Sequence, residues 1–276
     1  MKMEADKMKI DYAEKAKELR RSIITMLHDA NGSFSGGALS CTDIITVLFN
    51  SFMRVNPQNP NDPQRDMFIL SKGHCSSAMY AALVSVGLIP KNELKKYGKN
   101  GTRMFIHPKR GTYPGVEVST GSLGHGLPLG TGSALAAKIL GCDARVYVLM
   151  GDGECNEGSV WENAAFASFQ KLNNLIVIVD RNGLQGCGRD SQILNYGDMG
   201  AKFRAFGFHT IDIDGHSYAE IENAFQQATT LHQDRPTAII AHTVKGKGVS
   251  FMEDRLEWHY KSPDDEQFSA AMEELS

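Results

Sequence analysis

The chain has 276 residues, 42% hydrophobic and 22% charged, with 27 glycines and a formal net charge of −3. That length and composition suit a folded unit with a sizeable core and exclude a disordered or collagen-like chain. The balance of 29 basic and 32 acidic residues gives no electrostatic reason to expect nucleic acid or an anionic membrane as partner. No apolar run is long enough to span a bilayer, and the opening MKMEADKMKIDYAEKAKELRR reads as a charged helix rather than a signal peptide. Five scattered cysteines (Cys41, Cys75, Cys142, Cys155 and Cys187) show no metal-type pairing. They point to a reducing, cytoplasmic setting, in which the sequon Asn31-Gly32-Ser33 is a chance match.

Apolar spacing near 3.6 predicts helices over 10–28, 42–53, 75–86, 126–140, 159–171, 198–206 and 217–230, with a last one over 264–275. Between them lie short β-branched runs at 67–71, 145–150, 174–180, 209–214 and 237–244. Apolar residues on both faces of these runs indicate strands covered on both sides. Strands alternating with helices imply an α/β fold with a mostly parallel central sheet and helices on both faces. No linker or internal repeat divides the chain, so residues 1–276 are expected to act as one unit. Scattered methionines and Trp258 read as packing.

In open parallel sheets, ligands bind beyond the carboxyl ends of the strands. Each run here leads into a polar or glycine-rich segment: Ser71-Lys72-Gly73-His74, Gly151-Asp152-Gly153, Asp180-Arg181-Asn182, Asp214-Gly215-His216 and Lys245-Gly246-Lys247. Dinucleotide and nucleoside-triphosphate glycine loops, zinc-protease motifs and the esterase elbow are all absent. Residues 145–184 are distinctive. One buried strand ends in Gly-Asp-Gly, a helix returns, and the next strand ends in Asp-Arg-Asn, so Asp152 and Asn182 stand one crossover apart. Neighbouring strands lie roughly 5 Å apart, so their tips can share an ion. Mg²⁺ takes oxygen ligands and completes its shell with phosphate and water. A carboxylate (Asp152), an amide oxygen (Asn182) and a backbone carbonyl near Leu184 leave room for a diphosphate, which Gly153 and the next helix N-terminus would also favour. Taken singly, an Asp capping a helix and an Asn in a turn would explain the same letters.

The GDG…N pattern resembles the thiamine-diphosphate motif, and the surrounding letters resemble the N-terminal, diphosphate-binding part of transketolase. The resemblance runs from about 15 to 268 through LSKGH (70–74), FIHP (105–108), PGVEVSTGSLGHGL (114–127), GDGECNEGSVWE (151–162), NNLIVIVDRN (173–182), KGKGVSFME (246–253) and WH (258–259). It implies a three-layer thiamine-diphosphate-binding fold, with Mg²⁺ (or Ca²⁺ or Mn²⁺) on Asp152, Asn182 and the Leu184 carbonyl. Lys72, His74 and Lys245 would surround the diphosphate and substrate mouth, beside Gly151, Gly153 and Glu154. Gly121, Ser122 and Leu123 would wall the aminopyrimidine end. His107, His259 and His74 would be the catalytic histidines, His107 and His259 facing the sugar. An unperturbed imidazole pKa of about 6.5 suits proton traffic near neutrality. Glu157 and Glu162 would face a partner subunit. His209, His216, His232 and His242 read as surface or strand-end histidines.

There is a clear departure from the family, besides Tyr260, where its members more often carry glycine after WH. Its SGHPG loop carries a histidine where this chain has Phe34, with Ser35 at the proline. A phenyl ring can neither donate to a sugar hydroxyl nor carry a proton. Either the ring turns away, or Phe34 and Tyr260 shape a less polar substrate mouth. The resemblance also implies that the catalytic glutamate and the sugar-phosphate arginines lie on a second, pyrimidine-binding subunit. An α2β2 assembly is then expected, inactive without that partner and transferring a two-carbon ketol unit from a ketose to an aldose. The competing readings are the α-subunit of a 2-oxoacid dehydrogenase or decarboxylase, which shares GDG…N but not LSKGH, FIHP and WH, and a non-catalytic assembly subunit.

Overall fold

A computed structural model describes residues 10–195, 197–230 and 234–276, so residues 1–9 of the chain's charged opening, and His232, lie outside the described residues. The described chain begins with α1 (Tyr12–Asp29), started by Asp11, whose side chain accepts from the Glu14 amide. Next come α2 (Ser35–Ser40), α3 (Thr42–Val47), β1 (Met67–Leu70), α4 (Ser76–Ser85) and α5 (Gly126–Ile139). The central crossover is β2 (Val146–Gly151), α6 (Gly158–Phe169) and β3 (Leu175–Arg181). It is followed by α7 (Asp190–Ile193), α8 (Met199–Ala205), β4 (His209–Asp214), α9 (Tyr218–Thr230), β5 (Thr237–His242) and α10 (Asp265–Glu274). A reciprocal capping box between Asp264 and Gln267 starts α10.

The five strands form one parallel sheet in the order β1-β2-β3-β5-β4. Period-2 alternation splits their side chains between two cores. Tyr147, Leu149, Ile176 and Ile178 face the layer of α1, α3, α4 and α9, whereas Val146, Val148, Val177 and Val179 face α5, α6 and α8. Burial on both faces is what makes β1, β2, β3 and β5 read as apolar runs, whereas the edge strand β4, expected to be covered on both sides, buries only Ile213. Each fully buried side chain of this kind contributes about 1.5–3 kcal/mol.

Three local features depart from the sequence reading. The expected helix at 42–53 is α3 followed by a π-helical turn (Leu48–Phe52), α2 and α7 had no periodic signal, and β5 ends at His242 rather than at 244. A six-residue and a four-residue helix are too short for a 3.6 repeat to show. The start of α5 is pressed onto the tip of β1, since a Cβ on Gly126 would collide with Ser71. That contact brings the 121–126 loop to the carboxyl end of the sheet.

Candidate active site

A cleft of about 460 Å³ opens at the carboxyl ends of β1, β2, β3 and β5. Every residue singled out above as a cofactor, metal, substrate or catalytic position lines it, except Ser122, which is exposed just outside. Its volume lies within the usual range for small-molecule sites. Gln185, Gly186, Cys187 and Tyr260 complete the rim.

The floor is built around Asp180, to which the sequence reading gave no role of its own. Its buried carboxylate accepts from the Lys72 ammonium, from Ser40 Oγ at 2.6 Å, from Thr243 Oγ1 and from Asn182 Nδ2 at 3.2 Å. Burial alone would raise its pKa, but the Lys72 charge and these donors outweigh burial and lower it. Lys72 in turn donates to the Gly37 carbonyl at 2.8 Å. Lys72 also lines the cleft. Its ammonium ties β1 to β3 and α2. The bond from Asn182 Nδ2 to Asp180 also fixes the amide, so its Oδ1 turns the other way and accepts the Leu184 amide at 3.1 Å.

Asp152 sits differently. Its carboxylate accepts the Gly153 amide at 2.7 Å and the Gly183 amide at 2.6 Å, the second reaching across to the residue after Asn182. The β2 and β3 tips are therefore tied together where the shared ion was expected. Burial, with the Asp180 charge nearby, raises the Asp152 pKa. Glu154 is a clamp: it accepts from Ser71 Oγ, from the Gly124 amide at 2.9 Å and from the Gly151 amide at 3.1 Å. It locks the glycine loops at 121–126 and 151–153 to β1, and burial raises its pKa as well.

The mouth carries three imidazoles. Burial, with the charges of Lys72 and Lys245, pushes His74 down to about 2. His259 is pushed to about 4 by burial and Lys245, and His107 is lowered by desolvation. Each imidazole is thus biased toward its neutral form. Lys245 Nζ meets His259 Nδ1 and the Leu184 carbonyl, each at 2.9 Å. An ammonium can only donate, so the His259 ring proton resides on Nε2.

Phe34 does not turn away. Its ring lies 5.1 Å from His74, 5.3 Å from His259 and 6.1 Å from both His107 and Tyr260, edge-on to each. Its backbone has φ 75°, a left-handed conformation that costs a non-glycine residue about 1–2 kcal/mol. The Phe34 amide is held by the His259 carbonyl at 3.0 Å.

These donors suit a magnesium diphosphate. Asp152 is a buried carboxylate whose hydrogen bonds come from backbone amides, and among the described residues no group of three or more His, Cys, Asp and Glu side chains could hold a metal by itself. One carboxylate, one amide oxygen and one carbonyl leave the remaining positions for ligand oxygens.

Fold and cleft together define a thiamine-diphosphate-binding α/β protein. The profile described as "Transketolase, thiamine diphosphate binding domain" matches residues 12–275, and the chain belongs to that family. This membership favours transketolase over the 2-oxoacid reading. The chain is 39% identical, over 93% of its length and 91% of the relative's, to a subunit of the apulose-4-phosphate transketolase of Phocaeicola vulgatus. It is 36% identical, over 96% of both chains, to "6-deoxy-6-sulfo-D-fructose transketolase subunit SqwG" of a Clostridium species. The solved transketolase of Leishmania mexicana superposes with a TM-score of 0.91 at 28% identity, over 96% of this chain and 41% of that one. The chain thus spans about two fifths of the length of that solved enzyme.

Proposed function

We propose that this chain is the diphosphate-binding subunit of a two-subunit transketolase, moving a two-carbon ketol unit from a ketose to an aldose once joined to a pyrimidine-binding subunit. One observation carries the reading: the Asp152 carboxylate accepts the amide that follows Asn182, in a cleft shared with Lys245 and three histidines. In this reading residues 1–276 act as one unit. Asp152, Asn182 and the Leu184 carbonyl hold Mg²⁺, and His74, Lys245 and the glycine loops at 121–123 and 151–153 hold the cofactor. Thiamine diphosphate, when bound, supplies the electron sink for ketol transfer. The chain's own part is orientation and hydrogen bonding. His259 offers its Nε2–H to a sugar oxygen, His107 lines the same mouth, and Phe34 walls it with carbon.

A second protein chain is supported by the exposed apolar side chains of Leu129, Ile139 and Leu140 at α5 and of Phe166 and Phe169 on α6. Both helices start at the cleft, and Glu157 and Glu162 are exposed at that end. Large exposed apolar patches mark interaction surfaces. The relatives' names specify sugars bearing a phosphate or a sulfo group, so the proposed substrates are anionic ketoses and aldoses. Phe34 further suggests that the substrate presents a less polar face to this wall than a hydroxyl-seeking histidine would select.

The test is calorimetry of the chain, assembled with its partner, against Mg²⁺ and thiamine diphosphate, followed by ketol transfer from a phosphorylated ketose. Binding and transfer by the pair, with no transfer by the chain alone, is expected. A complex that binds no cofactor would refute the reading.

A further inference from the structure

His216, read from the sequence as a strand-end histidine, is tied into the back of the site. Its Nδ1 lies 2.8 Å from Asp43 Oδ2, and the Val244 amide meets its Nε2 at 2.8 Å. A backbone N–H can only donate, so Nε2 accepts and the ring proton must sit on Nδ1, aimed at Asp43. Asp43 is itself fixed. Arg20 grips both of its oxygens, at 2.9 and 2.7 Å, and Tyr218 donates to Oδ1 at 2.9 Å. Arg20 Nε then donates to the Lys247 carbonyl at 2.9 Å. The segment after β5 is thus held at Val244 and at Lys247, and both holds converge on Asp43. Between them, Lys245 sends its side chain the other way, to Leu184 and His259.

We infer that His216 is a positioning residue: by accepting the Val244 amide it sets the reach of Lys245 onto the Leu184 carbonyl and His259 Nδ1. The inference rests on the proposed function in taking Lys245 and His259 as site groups. The ring geometry makes it separable from a packing role, because a Gln amide overlays the Nε2 position and an Asn amide overlays Nδ1. In His216→Gln the side-chain oxygen can still accept from Val244. In His216→Asn the bond to Asp43 survives and the bond to Val244 is lost.

Two readouts distinguish them. One is the rate at which a limiting acylating reagent modifies Lys245 in the full chain, followed by mass spectrometry. The other is affinity for Mg²⁺ and thiamine diphosphate in the assembled complex. His216→Asn is expected to speed modification and weaken affinity by about tenfold, the range seen when outer-shell partners are removed. His216→Gln should stay near the parent in both. Equal behaviour of the two variants, or rescue by Asn and not Gln, would overturn the inference. Should both variants fail to fold, nitrogen-resolved NMR of the parent chain decides. A proton on Nδ1 supports the inference and a proton on Nε2 overturns it. If the parent complex binds no cofactor, the proposed function fails, while the modification and NMR readouts still decide the case of His216.

Discussion

Asp152 and Asp180 end neighbouring strands, and both are buried, yet their surroundings are opposite. Asp180 is saturated by an ammonium, two hydroxyls and an amide, and its pKa is lowered. Among the described residues Asp152 takes its hydrogen bonds from backbone amides, and its pKa is raised. A carboxylate whose charge is neutralised inside the fold is a strut. One whose charge is left to be matched from the cleft fits the ligand position that the proposed function gives Asp152. Placing the two side by side lets Asp180 orient Asn182 while Asp152 faces the cleft, where the proposed function puts a cation.

The largest expected effect tests the strut. Asp180→Asn leaves the Lys72 ammonium buried without a counter-charge, and urea unfolding should show a loss of about 3 kcal/mol. A loss below about 1 kcal/mol would erase the contrast. Asp152→Asn should instead change the stability of the free chain by no more than about 1 kcal/mol. It loses one acceptor but also removes a charge disfavoured by burial. Its effect should appear in calorimetry, where affinity for Mg²⁺ and thiamine diphosphate falls by more than the roughly 10–100-fold typical of outer-shell changes. If both variants lose stability equally and bind alike, Asp152 is merely a second strut.

A smaller effect concerns the histidines. The folded His259 imidazole binds its proton less tightly than the unfolded one, about 4 against 6.5. Its contribution is therefore fully present above the unfolded value and is lost as pH falls from about 6.5 toward about 4. The melting temperature should drop across that window, and less steeply in His259→Asn, which lacks the titrating imidazole. Parallel pH profiles for parent and variant would show that His259 is not held neutral by the fold. The smallest change is at specificity. Phe34→His should raise kcat/KM for a more hydroxylated acceptor relative to the preferred one by about tenfold or less, the worth of one hydrogen bond. An unchanged ranking of acceptors would remove Phe34 from substrate choice.

Much of the strut-and-ligand contrast is invisible in the letters alone. Asp152 and Asn182 stand out because glycines flank one and an apolar run precedes the other. Asp180 looks like one more residue in the same tail. Lys72 reads as a ligand group through the resemblance alone, and its letter carries no mark of the Asp180 carboxylate it meets. His216 looks peripheral, since its partners Asp43 and Val244, and the Arg20 behind them, come from three distant stretches of chain.

The sequence by itself determined the alternation of buried strands and helices, the parallel sheet and the gathering of polar letters at strand ends. These follow from local periodicity and from the rule that parallel strands are covered on both faces. Only the tertiary structure decided that β5 lies between β3 and β4, that Phe34 faces three imidazoles, and which buried charges are paired. Such outcomes depend on side chains far apart in the chain meeting in a low-dielectric interior, and residue spacing along one strand carries no record of that meeting.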